Sequence, residues 1–200
     1  MGTAFERAIV IFRQHNGFLR SSEALKLGIH PQTLSRMTKA GVLVREERGL
    51  YRLGESTYST DPDLLHVAKL IPKAVICLVS ALSFHNLTSQ LPRRVYIALP
   101  QKIKKPKFNY PLLDVVWLSE SSYSSGIEFH QMDGVKLAVY SREKTIADCF
   151  KFRNKIGEDV AKEALQDYLR ISNRNIDLLL HYADIDRVRE KIEPYIKALV

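Results

Sequence analysis

The sequence predicts an α+β protein in two parts: an N-terminal winged helix-turn-helix over residues 1–60, then a larger mixed α+β domain over 61–200 with a small sheet and a helical C-terminal half. Three observations predict it. Residues 1–53 read as three short one-faced helices followed by a hairpin. A polar stretch, GESTYSTDPDLL over 54–65, then interrupts the chain. Beyond it strand-like runs come first and helical ones follow, the segregated order of an α+β layout.

Taken in order, Phe5, Ala8, Ile9 and Phe12 recur at i, i+3, i+4 and i+7 and define the first helix, which Asn16-Gly17 stops. Ser21-Ser22 can cap a second, with Glu23 in its first turn and Ala24, Leu25 and Leu27 as its expected buried side. Gly28 ends it. Pro31 suits the first position of a third helix, where a missing N–H costs nothing, and Gly41 closes that helix. VLV (42–44) and LYRL (50–53) are short strands with Gly49 at the tight turn. After the break, DLLHVAKLI and AVICLVSALSFHNL read as helices, RRVYIAL and LLDVVWL as strands, and IEFHQMDGVKLAVYS as two strands around Asp133-Gly134. From Ser141 onward the pattern is helical. Ile176, Leu179, Leu180 and Ala183 repeat the one-faced spacing, and Pro194 is expected to split the last stretch into two helices.

Lys plus Arg number 30 against 22 Asp plus Glu, a net charge of +8, which points to an anionic partner with nucleic acid first. The hydrophobic fraction of 46% supports a packed core rather than disorder. No run approaches the ~18 apolar residues of a membrane span, and the N-terminus lacks a basic-then-apolar signal. Glu6 stands where a myristoylation signal needs Ser or Thr. A cytoplasmic protein without membrane contact is expected. Cys77 and Cys149 form no Cys-x-x-Cys pair and read as buried thiols in a reducing compartment.

The third helix and the hairpin carry the functional expectation. Leu34 and Met37 point to one side and should join Ile29 in the core. The opposite face carries Gln32, Ser35, Arg36 and Lys39, residue types that read base edges or hold phosphates. Thr33 lies nearer the flank, for packing or a phosphate contact, and His30 precedes Pro31 at the cap, within reach of a phosphate. In a winged helix the third helix enters the major groove and the wing lies along the backbone. Arg45, Arg48 and Arg52 sit on or beside the wing, with Tyr51 between them as a phosphate donor or a core residue. Glu46 and Glu47 argue against DNA contact if both face it. Leu50 and Leu53 cannot both point inward on a regular strand.

At these residues the chain resembles the AbiEi family of bacterial abortive-infection antitoxins. The resemblance rests on GIHPQTLSRMTKAGVLVREERGLYRL, on KAVICLVSALSFHNLTSQLPRRVYIALP, and most specifically on YSREKTIADCFKFRNKIG over 140–157. It implies a transcriptional repressor of its own operon that binds inverted repeats in double-stranded DNA. It also implies the antitoxin of a type IV pair, countering a nucleotidyltransferase toxin without a stable complex. An antitoxicity surface formed by Lys144, Asp148, Lys151, Arg153 and Lys155 is what the resemblance suggests for that run.

Other constellations are weaker. Arg93, Arg94, Lys102, Lys104, Lys105 and Lys107 lie in a run without acidic residues, either a second basic surface that extends a DNA footprint or a solvated loop. Asp148, four residues after Lys144 and three before Lys151, suggests surface ion pairs. There is no Walker loop, no Gly-x-Ser-x-Gly and no His-Glu-x-x-His, so no catalytic residue, metal or cofactor is expected. Two other readings use the same N-terminal module for targeting: a metal-dependent nuclease, for which Asp114 and Glu128 lack the Glu-x-Lys companion, and a ligand-sensing regulator.

Overall fold

The structure, a computed structural model, describes residues 4–15, 17–54, 61–104, 106, 110–132 and 134–199, and within them not the side chain of Glu47. Asn16, Lys105, Lys107, Asp133 and the centre of the 54–65 stretch, all used in the sequence reading, lie outside the described residues. The chain is mixed α+β and divides into two compact units, Met1–Pro62 with Gln131–Val135, and Asp63–His130 with Lys136–Val200.

In the first unit α1 (Ala4–Gln14) buries Ala8 and Phe12, as its spacing predicts. Gly17, at φ +77°, lets the chain turn out of the helix into a strand, β1 (Phe18–Arg20), too short to show any periodicity in sequence. Next comes α2 (Ser21–Lys26). Its cap is Arg20, whose backbone N–H donates to the Glu23 carboxylate at 3.0 Å, so Ser21 and Ser22 lie inside the helix rather than capping it. Of its three expected core residues only Ala24 is buried; Leu25 and Leu27 are 49% and 40% exposed, because a six-residue helix turns too little surface inward.

Helix α3 (Pro31–Lys39) begins with Pro31 at its first position, and His30 caps it by accepting the Gln32 N–H through Nδ1 at 3.4 Å. Strands β2 (Leu43–Glu47) and β3 (Leu50–Leu53) form the hairpin, and β1 adds to it in the order β1-β3-β2. Leu34, Met37 and Ile29 pack with Phe12, Leu19, Leu43 and Leu53 in one core. Leu50 and Leu53 are both buried, against the parity argument. Strand β3 is central, and a bulge between Arg45 and Glu47 shifts the register so that Arg20 and Glu47 flank Leu50 on either side.

The second unit opens with α4 (Pro62–Leu70), then β4 (Val75–Ile76) and α5 (Leu78–Phe84). Residues 75–76 are therefore strand, where a continuous helix was expected. An apolar run bounded by no breaker does not reveal its own period, and pairing with both neighbours decided it. Strands β5 (Val95–Pro100), β6 (Leu113–Leu118), then α6 (Glu120–Ser124), β7 (Ile127–Met132) and β8 (Val135–Tyr140) complete a five-stranded sheet ordered β6-β5-β4-β8-β7. Helices α7 (Arg142–Lys151), α8 (Arg153–Ile156), α9 (Glu158–Leu169), α10 (Ile176–Ile185) and α11 (Arg189–Leu199) follow. Ile146, Cys149 and Phe150 of α7 join Leu165, Leu179 and Ile192 in the core. Pro194 lies inside α11 and does not split it. It forfeits one backbone bond, but Ile192 and Ile196 on either side of it are both buried and hold the helix together. Among the described residues no helix is long and apolar enough to cross a membrane.

Candidate nucleic-acid interface

Helix α3 turns one face into the core through Leu34 and Met37, and this fixes the rotation of the other. Gln32, Ser35, Arg36 and Lys39 are all exposed, Thr33 is half-buried at the flank, and His30 is exposed at the cap. Arg36 is not loose: its guanidinium carbon lies 5.7 Å from the centroid of the Phe5 ring, so α1 supports its stem while its donors face solvent. From Ala24 to Arg45 the sequence holds no acidic residue. The helix therefore presents donors and cations without a carboxylate of its own to repel a phosphate.

The wing divides its residues between two tasks. Arg45 and Arg48 are exposed. Tyr51 is half-buried and its ring packs against the core of the first unit. Arg52 is occupied: its Nε donates to Glu46, and a second guanidinium nitrogen donates to the Leu53 carbonyl at 2.9 Å. The two side chains are only about a fifth exposed, so the pair removes one expected DNA cation and, with it, the charge of one carboxylate that argued against DNA. The bulge at Arg45–Glu47 sets this pairing, and no sequence signal marked it.

In the second unit the basic run is not one loop. Strand β5 separates Arg93 and Arg94 from Lys102 and Lys104, all four exposed. Six strand residues at ~3.3 Å each put the two pairs roughly 20 Å apart. Arg94 faces Asp114 at 4.0 Å.

The expected surface on α7 is corrected more deeply. Lys144 and Asp148 are fully buried and belong to no surface. The spacing that suggested exposed ion pairs places both residues inward, where Lys144 bridges Asp148 and Asp186. Lys151 is 29% exposed and reaches Asp186, not Asp148, at 2.9 Å. Arg153 donates to the Phe150 carbonyl at 2.9 Å, and Lys155 lies 3.3 Å from Asp114. Burial pushes the Asp148 carboxyl up, whereas at Asp186 the contacts with Lys144, Ser122 and Lys151 outweigh burial and hold that carboxyl low. Asp186 was not visible as their partner in the sequence, because it lies 38 residues beyond Asp148.

Comparison with known proteins places a resemblance on the helix-and-wing unit. Residues 6–54 match the family model described as a transcriptional regulator, AbiEi antitoxin, which is the family that the sequence resembles. The crystal structure of the RV2827C protein from Mycobacterium tuberculosis is similar over 98% of this chain and 82% of that one, with a TM-score of 0.56 and 15% identity. At that identity the likeness is one of fold. No curated protein matches the chain.

Proposed function

We propose that this chain is a DNA-binding antitoxin that represses its own operon. Helix α3 enters the major groove of inverted repeats upstream of that operon, and the β2–β3 wing follows the adjoining backbone. The observation that carries this reading is the acid-free exposed face of α3, held in a fixed rotation by Leu34 and Met37, in the segment similar to AbiEi transcriptional regulators. Gln32, Ser35 and Arg36 read bases; Lys39, Arg45 and Arg48 neutralise phosphates; His30 and Thr33 border the contact. Arg93, Arg94, Lys102 and Lys104 add a weaker, sequence-independent contact. The second unit counters a nucleotidyltransferase toxin of a type IV pair without a stable complex, a reading supported by the resemblance over 140–157. The protein acts by binding, not catalysis, in the cytoplasm.

The test is a footprint of the full chain on its native upstream region, run with and without Mg²⁺, beside growth assays with the toxin expressed. Protection of an inverted repeat, lost in Arg36→Ala, together with rescue of growth, is expected. Strand cleavage in Mg²⁺ would instead favour the nuclease reading, and no protection at any site would overturn the repressor reading.

A further inference from the structure

The second unit contains a buried charge cluster that the proposed function leaves without a part. Lys144 Nζ, with no solvent exposure, lies 2.5 Å from Asp148 Oδ1 and 3.0 Å from Asp186 Oδ2. One ammonium thus bridges two carboxylates, and the oxygens it holds are at most 5.5 Å apart, the sum of those distances. The two carboxylates are not equivalent. Asp186 Oδ1 also accepts from Ser122 Oγ at 2.6 Å and from Lys151 Nζ at 2.9 Å. Asp148 has Lys144 as its one cation and otherwise meets only the Asp186 carboxyl, with which it can share a proton, and its Oδ2 accepts no hydrogen bond from any donor among the described residues.

That asymmetry decides where a proton goes. Asp186 caps the C-terminus of α10, where the helix dipole disfavours negative charge, yet two ammoniums and a hydroxyl converge on it. It stays ionised. A second bare carboxylate oxygen a few ångströms away, in the dry interior of the same unit, is the atom that gains most from a proton.

We propose that Asp148 Oδ2 is a proton-binding site, and that its occupancy sets how firmly the α10–α11 turn is held against α7. With the proton bound, the cluster holds two ammoniums, one carboxylate and one neutral carboxyl. When the proton leaves to solvent, two carboxylates compete for Lys144 across the joint between α7 and Asp186.

The surroundings agree. Burial is the largest influence on Asp148 and raises it, Lys144 opposes the rise, Asp186 adds to it, and the group sits at about 7. Burial also works to raise Asp186, but Lys144, Ser122 and Lys151 outweigh it and hold that carboxyl below its usual range. The other titratable groups facing the cluster stay neutral through this window. Burial pushes up the hydroxyl of Tyr140 from β8, the Cys77 thiol before α5 and the Cys149 thiol, and that of Tyr182 from α10 as well. Gly126 closes the site from another side: a Cβ there would lie 2.6 Å from Lys144 Cβ and 3.1 Å from the Tyr182 ring. A carboxyl raised on folding contributes stability that is full below its unfolded range, about pH 4, and is lost as pH rises through about 7.

Infrared spectra of the full chain with ¹³C-labelled aspartate, titrated from about pH 5 to 9, test this. A protonated aspartate carbonyl band that disappears with a midpoint near neutrality, and is missing in Asp148→Asn, is expected. The thermal midpoint of the wild type should fall as pH rises toward that midpoint and level off above it, while Asp148→Asn loses this component. Should Asp148→Asn fail to fold, the wild-type band decides by itself. Aspartates that are all ionised above about pH 6, or a band that survives in Asp148→Asn, would overturn the assignment. The outcome does not depend on DNA being the partner.

Discussion

Changing Arg45 and Arg48 together to alanine tests whether the wing lies on a phosphate backbone, and the structure gives the size of the effect. Arg36, Lys39, Arg45 and Arg48 are exposed on α3 and the wing, and none has a carboxylate partner among the described residues. Arg52 is left out because Glu46 holds it. If all four neutralise phosphates, the slope of log affinity against log salt is about −3.6, at roughly −0.9 per phosphate. A rise from about 50 to 200 mM salt then weakens binding about 150-fold. Removing Arg45 and Arg48 makes the slope shallower by about 1.8, which for these four cations alone leaves about −1.8 and a loss of about twelve-fold; any contact by the second unit adds equally to wild type and mutant. Fluorescence anisotropy on an operator duplex over a salt series measures both slopes. A mutant slope equal to wild type would refute the placement of the wing. The neutral pair Glu46→Ala with Arg52→Ala is the control and should leave the slope unchanged, since the ion pair presents no net charge.

Arg36→Ala should cost about 1–3 kcal/mol of discrimination at one base position, if the arginine makes a paired contact to guanine, and competition with base-substituted duplexes would show it. Met37→Ala, at a site with no exposure, should destabilise the protein by about 2–5 kcal/mol in denaturant melts, enough to remove DNA binding by unfolding. Lys151→Glu places a carboxylate beside Asp186, which Lys151 now approaches to 2.9 Å, so it should lower the thermal midpoint sharply. Arg153→Glu, which gives up only a bond to a carbonyl, should not, and is therefore the cleaner probe of antitoxicity in growth assays. Burial is the main influence that lowers His85, whose Nε2 lies 2.7 Å from the Tyr140 carbonyl. Its contribution to stability is present above the unfolded histidine range, about 6.5, and is lost as pH falls below it; His85→Gln should flatten that part of an acid melt.

The sequence by itself determined the elements whose signal is local. The spacing of Phe5, Ala8 and Phe12, the Pro31 start and the Gly41 stop, and the Gly49 turn are each written in a few neighbouring residues. So is the face of α3: once Leu34 and Met37 go inward, the helical period leaves Gln32, Ser35, Arg36 and Lys39 outside. The tertiary structure decided what depends on partners far along the chain. Tyr51 and Arg52 were wing residues of undecided use until a bulge and the β1–β3 pairing turned one toward the core and the other onto Glu46. Residues 75–76 became a strand only because β5 and β8 lie on either side of them. Lys144 and Asp148 carry charges, and charges in a helix read as surface. They are interior because Lys144 finds a carboxylate on its own helix and a second one at Asp186, which Ser122 from another helical segment hydrogen-bonds, and this set of partners makes burial tolerable. A helical period tells which residues share a face, but whether that face meets water or a matching set of charges is fixed only when the distant segments arrive.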